Sequence, residues 1–393
     1  MAKLTVRALN VNGKRVLVRV DFNVPMDANG EITDDRRIHA ALPTINYLLS
    51  NGATVILASH LGKPKGKPNP KLSLRPVADR LAKILDRQVY FAPDCVGSNV
   101  VRFLQKVPPN SLALLENLRF HPGEEKNERD FAKALATLAD LYVNDAFGTA
   151  HRAHASTTGV TAFFAQPVAG LLMEKELQFL TPLLETPPQP FIVIIGGAKI
   201  SDKAGVIKNL LPRVDRLLIG GGVAFNFLKA RGYPIGKSIW EPNLMAEVVC
   251  LEKNPKIVLP VDVVVTSSPD TENGRTVEIE NIGPDEIGLD IGDKTIHNFT
   301  QIITTGKTVV WAGPMGMFEK HPFQYGTIAI AQAIAVATEN GATTVAGGGD
   351  TIATLKKAGV SDRLSHISTG GSATLEFLEG KELPGITALM DEL

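Results

Sequence analysis

The stretch FIVIIGGAK (191–199) decides the fold: five apolar, mostly β-branched residues run without alternation into a Gly-Gly pair, and a helical pattern follows. A run of this kind is a strand buried on both faces that ends in a turn opening a helix, the βα unit of a parallel sheet. Working outward, similar runs occupy 216–219, 256–259, 308–311, 343–346 and 366–368 in the second half, and 15–20, 53–58, 111–115 and 141–143 in the first. The fold class is therefore α/β, and the runs are too many for one compact sheet with short connections. Between the halves, 171–184 carries Leu177, Leu180 and Leu184 at helical spacing and leads into a Pro-rich stretch at 186–190, which marks a domain boundary. One insertion breaks the rhythm. Residues 261–267 alternate, Asn273-Gly274 supplies a turn, and 275–280 alternate again, as in a β-hairpin.

Bulk properties narrow the functions. The chain of 393 residues has 41 Lys+Arg against 41 Asp+Glu, so no global field draws it to nucleic acid or an anionic membrane, and any anion site must be local. The N-terminus shows no apolar signal segment, no apolar stretch approaches a membrane span, and the expectation is a soluble cytoplasmic protein. Cys95 and Cys250 are far apart and lack metal-ligand spacing, which predicts two buried thiols in a reducing compartment.

Ligands of open α/β sheets sit beyond the carboxyl ends of the strands, so the residues just after each run are the candidate sites. In the first half these are Asp21, Phe22 and Asn23 with Arg36 beyond them; Ser59, His60, Leu61, Gly62 and Lys63; Glu116 to Arg119; and 144–152 with His151 and Arg152. Guanidinium forks match phosphate or carboxylate oxygens, and His60 and Asn23 add directional hydrogen bonds, so the set describes a cradle for a small polyanion. Any one of these arginines alone is more simply a solvated surface charge. His151 and His154 lie in a loop without a clear third ligand, and hydrogen bonding or surface exposure suits them better than a metal. Asp21 and Asp145 read as carboxylates that orient neighbouring arginines.

The second half is glycine-rich: 10 of the 35 glycines precede residue 187 and the other 25 follow it. Four runs end in Gly196-Gly197-Ala198-Lys199, Gly220-Gly221-Gly222, Gly313-Pro314-Met315-Gly316 and Gly347-Gly348-Gly349-Asp350-Thr351, and a fifth turn is Gly370-Gly371-Ser372. Glycine lets backbone N–H groups approach phosphate oxygens at the positive end of a helix, although close strand-to-helix packing explains any single turn equally well. GYPIGKS (232–238) is one residue short of a Walker A loop and follows a helical stretch rather than a strand. No G-x-G-x-x-G opens a helix after a strand, which weakens a Rossmann-type dehydrogenase.

In content and order, VRVDFNVP (18–25), SHLGKP (59–64), ENLRF (116–120), NDAFGTAHRAHAST (144–157), GGAKISDK (196–203), GPMGMFE (313–319), AGGGDT (346–351) and STGGSATLEFLEG (368–380) resemble the phosphoglycerate kinase family over essentially the whole chain. The resemblance implies two doubly wound, Rossmann-like parallel-sheet domains joined by a hinge helix: 1–170 for 3-phosphoglycerate or 1,3-bisphosphoglycerate, 171–188 as hinge, 189–375 for the nucleotide, and 376–393 as a tail returning to the first domain. It assigns the phosphoglycerate end to Asp21, Phe22, Asn23, Arg36, His60, Leu61, Gly62, Lys63, Arg119 and Arg152. Nucleotide binding falls to Lys203, Gly292, Glu319, Gly348, Gly349, Asp350 and Thr351, with Asp350 toward Mg²⁺. Arg36, Lys199 and Lys203 are the expected catalytic groups, and the family is usually monomeric.

Two positions depart from the pattern: Ala312 stands where many members carry Asn, and Lys63 where some carry Arg. Both are expected to tune affinity. The implied reaction moves a phosphoryl group between 1,3-bisphosphoglycerate and ADP, whose attacking oxygens are already ionised, so positioning and charge stabilisation are the catalytic work and closure of the domains is the expected conformational step. The rivals are a nicotinamide dehydrogenase and a non-catalytic nucleotide-binding protein of the same fold.

Overall fold

The computed structural model describes residues 2–270 and 273–392. The chain divides into two compact units, Met1–Gln178 with Glu382–Leu393 and Phe179–Lys381. The division falls within the helix Leu171–Leu184.

The first unit is built on six parallel strands: β1 (Arg15–Arg19), β2 (Thr54–Ala58), β3 (Val89–Phe91), β4 (Leu112–Leu114), β5 (Leu141–Asn144) and β6 (Val168–Ala169). Their order across the sheet is β3-β4-β2-β1-β5-β6. From β1 the chain lays β2 beside it, β3 at the edge and β4 between β3 and β2, and then crosses to the other side of β1 at β5, so the sheet has a switch point between β1 and β5, and the turns after both open at the same end. Val16, Val18, Val55 and Leu57 are fully buried beneath Ile38, Ile45 and Leu48 of the helix Arg36–Ser50, the apolar mass that holds the strand ends in place. The C-terminal residues close this unit. Gly385 N–H donates to the Ala150 carbonyl (2.8 Å) and the Asn144 amide donates to the Gly385 carbonyl (3.0 Å), with room for no side chain at Gly385 because a Cβ would lie 2.9 Å from Ala150 Cα.

The second unit has β7 (Phe191–Ile195), β8 (Arg216–Ile219), β9 (Ile257–Val258), β10 (Asp262–Thr266), β11 (Arg275–Glu278), β12 (Ile287–Ile291), β13 (Thr308–Ala312), β14 (Thr343–Gly347) and β15 (His366–Ile367). Six of these form a parallel sheet in the order β15-β14-β13-β7-β8-β9, with its switch point between β7 and β13. All five residues of β7 and all five of β13 are buried, as continuous apolar strands at the centre of a two-sided sheet must be. The remaining three make a small antiparallel sheet, β11-β10-β12. Its β10/β11 pair is the expected hairpin, with Val263 opposite Val277; residues 271–272 of its connection lie outside the described residues.

Three strands carry no signal of their own in the sequence. β3 is a half-buried edge strand of three residues, β6 has two, and β12 alternates only briefly between buried and half-buried positions. Such segments are specified by the neighbours they pair with. The thiols differ from expectation: Cys95 is buried, whereas Cys250 is exposed on the helix Met245–Leu251.

Candidate active site

In the first unit the strand ends converge on a buried polar network. Asp21, just past β1, accepts from Arg37 Nη1 and from its own Asn23 N–H (3.2 Å). Burial alone would raise its pKa, but Arg37, His60, Arg19 and the Asn23 N–H together outweigh burial and hold the carboxyl below its ordinary value. Asn23 Oδ1 accepts the Gly62 N–H (2.8 Å), and the Gly62 carbonyl accepts from Arg119 Nη1 (2.9 Å). Phe22 is fully buried and its N–H donates to Ser59 Oγ (2.8 Å), tying the turn after β1 to the turn after β2. The Leu61 carbonyl is held by the Asn117 amide (2.7 Å). Asp21, Phe22, Asn23, His60, Leu61, Gly62 and Arg119 are thus one constellation.

Arg119 is 2 % exposed, and two of its nitrogens, Nε and Nη2, are buried without a hydrogen-bond partner. Glu125 lies 3.3 Å from Nε, close enough for charge pairing but not aligned as a hydrogen bond. A buried guanidinium with idle N–H groups costs free energy, so these donors are available to an anion. Burial, together with Arg152 and Arg19, lowers the Arg119 pKa against the pull of Glu125 and Glu124. The same crowd of positive charge, after burial, drives His154 down to about 4 and His60 well below its ordinary value, so both imidazoles are neutral at pH 7. Arg152 is half-buried, with Nε donating to His151 Nε2 (3.1 Å).

Arg36 and Lys63 are not drawn in. Arg36 opens its helix with a side chain 54 % exposed and folded back on Asp34, its Nε 2.8 Å from Oδ2. Arg37, one residue on, faces the network and holds Asp21. The two differ because consecutive helical residues point about 100° apart, and only one can face the sheet's carboxyl end. Lys63 is exposed and makes no hydrogen bond or ion pair among the described residues. Sequence reasoning overlooked Arg19 and Glu124, charged residues wholly buried behind the constellation; an Arg inside the apolar run VLVRV was the available signal.

Asp94, Cys95 and His121 also meet, their ligating atoms within 4.8 Å of one another. Asp94 Oδ1 already accepts from His121 Nε2 and from Cys95 N–H, both at 2.7 Å, so the cluster satisfies itself.

The second unit separates the glycines into two kinds. Gly196, Gly197, Gly221 and Gly313 spend their N–H groups inside the protein, on the Ala312, Pro314 and Met315 carbonyls and on Thr351 Oγ1 respectively, and a Cβ at Gly196 would lie 2.1 Å from the Pro314 carbonyl oxygen. For Gly196, Gly221 and Gly313 close packing is the correct reading, since a Cβ at each would lie within 3 Å of backbone atoms, whereas at Gly197 (φ +98°) a Cβ would meet only the Gly313 Cα at 4.0 Å. At Gly349 and Gly371 a Cβ would meet nothing within 4 Å, and at Gly348 (φ +102°) only Thr351 Oγ1. These three face open space at the starts of the helices Gly349–Lys357 and Ser372–Leu378.

That space is a polar cavity of about 450 Å³ lined by Lys199, Lys203, Asp202, Gly348, Gly349, Asp350 and Thr351. It shares Gly197, Ala198, Pro314 and Asp350 with a second, largely apolar cavity of about 590 Å³ that includes Phe225, Val263, Leu289, Met315 and Glu319. Burial lowers the Lys203 pKa, opposed by Asp202, Asp350 and Glu379; Lys199 is exposed. Thr351 is buried and bound to Gly313 N–H (2.8 Å), so it braces the turn. Gly292 lines neither cavity: it caps the helix Asp293–Thr305, with a Cβ position 2.4 Å from the Asp262 carboxylate. Ala312 likewise lines neither. A largely apolar cavity that shares residues with a lysine- and glycine-lined one has the chemistry to suit a base beside a polyphosphate.

Comparison with known proteins identifies the family. The family model described as phosphoglycerate kinase matches residues 6–381. A phosphoglycerate kinase of Chlorobium luteolum is 52 % identical over 396 residues, covering 99 % of this chain and all of that protein, and one of Pelotomaculum thermopropionicum is 53 % identical over 400 residues, covering both in full. Among solved structures, the phosphoglycerate kinase of Coxiella burnetii matches with a TM-score of 0.88 at 41 % identity over 98 % of each chain. That of Pyrococcus horikoshii matches with 0.85 at 34 % identity over 99 % of this chain and 98 % of that one. With a family model spanning most of the chain and full-length relatives of one kind at about half identity, the chain belongs to the phosphoglycerate kinase family.

Proposed function

We propose that the chain transfers a phosphoryl group reversibly between 1,3-bisphosphoglycerate and ADP, with the phosphoglycerate held by the first unit and the nucleotide by the second. The observation that carries the first half is the buried Arg119 guanidinium with two nitrogens lacking acceptors. The acyl P–O bond breaks as a P–O bond to the terminal oxygen of ADP forms, leaving a carboxylate. Neither attacking oxygen carries a proton at pH 7, so no general base is needed, and none of the buried carboxylates is asked to act as one.

Asn23, His60, Arg119 and Arg152 are the groups assigned to the phosphoglycerate, with Asp21 orienting Arg37. Arg37, rather than Arg36, takes the role of the guanidinium that neutralises the transferring group. Lys203 and Lys199 do the same from the nucleotide side, and the open amides around Gly348, Gly349 and Asp350 bind the phosphates. Asp350 is exposed and lines both cavities, with Asp202 beside the polar one, which suits Mg²⁺, an ion held by one or two carboxylates together with nucleotide phosphates. When bound, Mg²⁺ supplies charge neutralisation of the polyphosphate, and Asp350 would hold it. A monomeric, cytoplasmic enzyme is the accompanying reading; no helix among the described residues is long and apolar enough to cross a membrane.

Calorimetric titration tests the assignment. Arg119→Met should weaken 3-phosphoglycerate binding by roughly tenfold or more while leaving ADP affinity unchanged, since a hydrogen-bonded charge contact is worth about 1.5–3 kcal/mol. Equal affinity of the variant and the wild type for 3-phosphoglycerate would refute it.

A further inference from the structure

Arg19 is wholly buried at the end of β1, and the direction of each of its hydrogen bonds is forced. Its Nε donates to Ser156 Oγ (2.7 Å) and its Nη1 to the Val20 carbonyl. The Ser156 hydroxyl donates onward to Glu124 Oε1 (2.6 Å), while Glu124 Oε2 accepts the Ser156 N–H (2.9 Å). The remaining nitrogen, Nη2, lies 3.2 Å from His60 Nδ1. A guanidinium has donors and no acceptor, so Nδ1 must offer its lone pair. Asp21, 3.9 Å from the same nitrogen, would otherwise favour a proton there, but its carboxylate is engaged by Arg37 and the Asn23 N–H.

We propose that Arg19 is a positioning residue that confines the proton of neutral His60 to Nε2, so that the imidazole presents a hydrogen-bond donor, rather than a lone pair, to a phosphate or carboxylate oxygen of the bound phosphoglycerate. Nε2 has no partner among the described residues and is not sealed from solvent. With the opposite tautomer a lone pair would face the anion and the contact would turn repulsive. Glu124, reached through Ser156, gives the buried guanidinium its counter-charge and fixes its orientation, so the tautomer is set by a side chain that lies behind His60. This inference rests on the phosphoglycerate reading of the site.

The test is a long-range ¹H–¹⁵N correlation spectrum of the ¹⁵N-labelled full chain, with His60 assigned by comparison with His60→Gln. The wild type should show the Nε2–H pattern without any variant being needed. Arg19→Met should shift His60 toward a mixture of tautomers and raise KM for 3-phosphoglycerate roughly tenfold with KM for nucleotide unchanged, and Arg19→Lys, which keeps a donor, should recover part of both. An Nδ1–H pattern in the wild type, or an unchanged tautomer in folded Arg19→Met, overturns the proposal. Failure of the wild type to bind 3-phosphoglycerate while His60 keeps the Nε2–H pattern would instead overturn the substrate reading and leave the tautomer assignment standing.

Discussion

Arg36 and Arg37 adjoin in sequence, yet the first lies on the surface against Asp34 and the second holds a buried carboxylate among the strand ends. Removing a donor that neutralises a transition state typically costs about 10²–10³ in rate. Arg37→Ala should therefore lower kcat by that order, and Arg36→Ala should stay within a few-fold of wild type; steady-state assays of the two variants decide it, and the reverse order would return the role to Arg36. The residue types of the anion cradle were legible in the sequence because they follow apolar runs. Which of two neighbouring arginines faces inward was not, since it depends on where the helix Arg36–Ser50 starts relative to the sheet. Arg19 was hidden for a related reason: a charge at the end of a strand reads as a surface position until its buried partners are known.

At the level of elements, the βα turns were legible as glycine-rich, but whether a glycine serves packing or a ligand depends on what lies across from it. Gly196 and Gly349 separate the two roles. Gly196→Ala places a methyl on the Pro314 carbonyl and should destabilise the second unit strongly, seen as a lowered thermal midpoint. Gly349→Ala adds a methyl to open space and should leave the midpoint near wild type while weakening ADP binding several-fold by calorimetry. Equal effects of both on stability would contradict the distinction.

The helix Leu171–Leu184 supplies a pH-dependent element. Asp145 Oδ1 accepts the Leu172 and Met173 N–H groups (2.9 and 3.1 Å), and burial, outweighing these bonds, pushes its carboxyl up to about 6. Its unfolded value is near 3.8. Between about pH 4 and 6 the folded chain keeps a proton that the unfolded chain releases, so this group makes stability fall as pH rises through that window and then level off. The loss is on the order of 3 kcal/mol, at about 1.4 kcal/mol per pH unit. Asp145→Asn keeps the accepting oxygen and should flatten this part of a urea-midpoint profile against pH; an unchanged slope would show that Asp145 titrates normally.

For the molecule as a whole, the proposed division of labour rests on two six-stranded parallel sheets of opposite chemistry: guanidinium groups past the strands of one, open backbone amides and lysines past those of the other. Both sheets were legible from their central strands, which are long and continuously apolar. The edge strands β3 and β6 are too short to carry a pattern alone. The most direct test is a coupled assay of ATP formation by the purified chain supplied with 1,3-bisphosphoglycerate, ADP and Mg²⁺. Turnover that requires both substrates is the predicted result; a folded protein that binds both ligands and forms no ATP would contradict it.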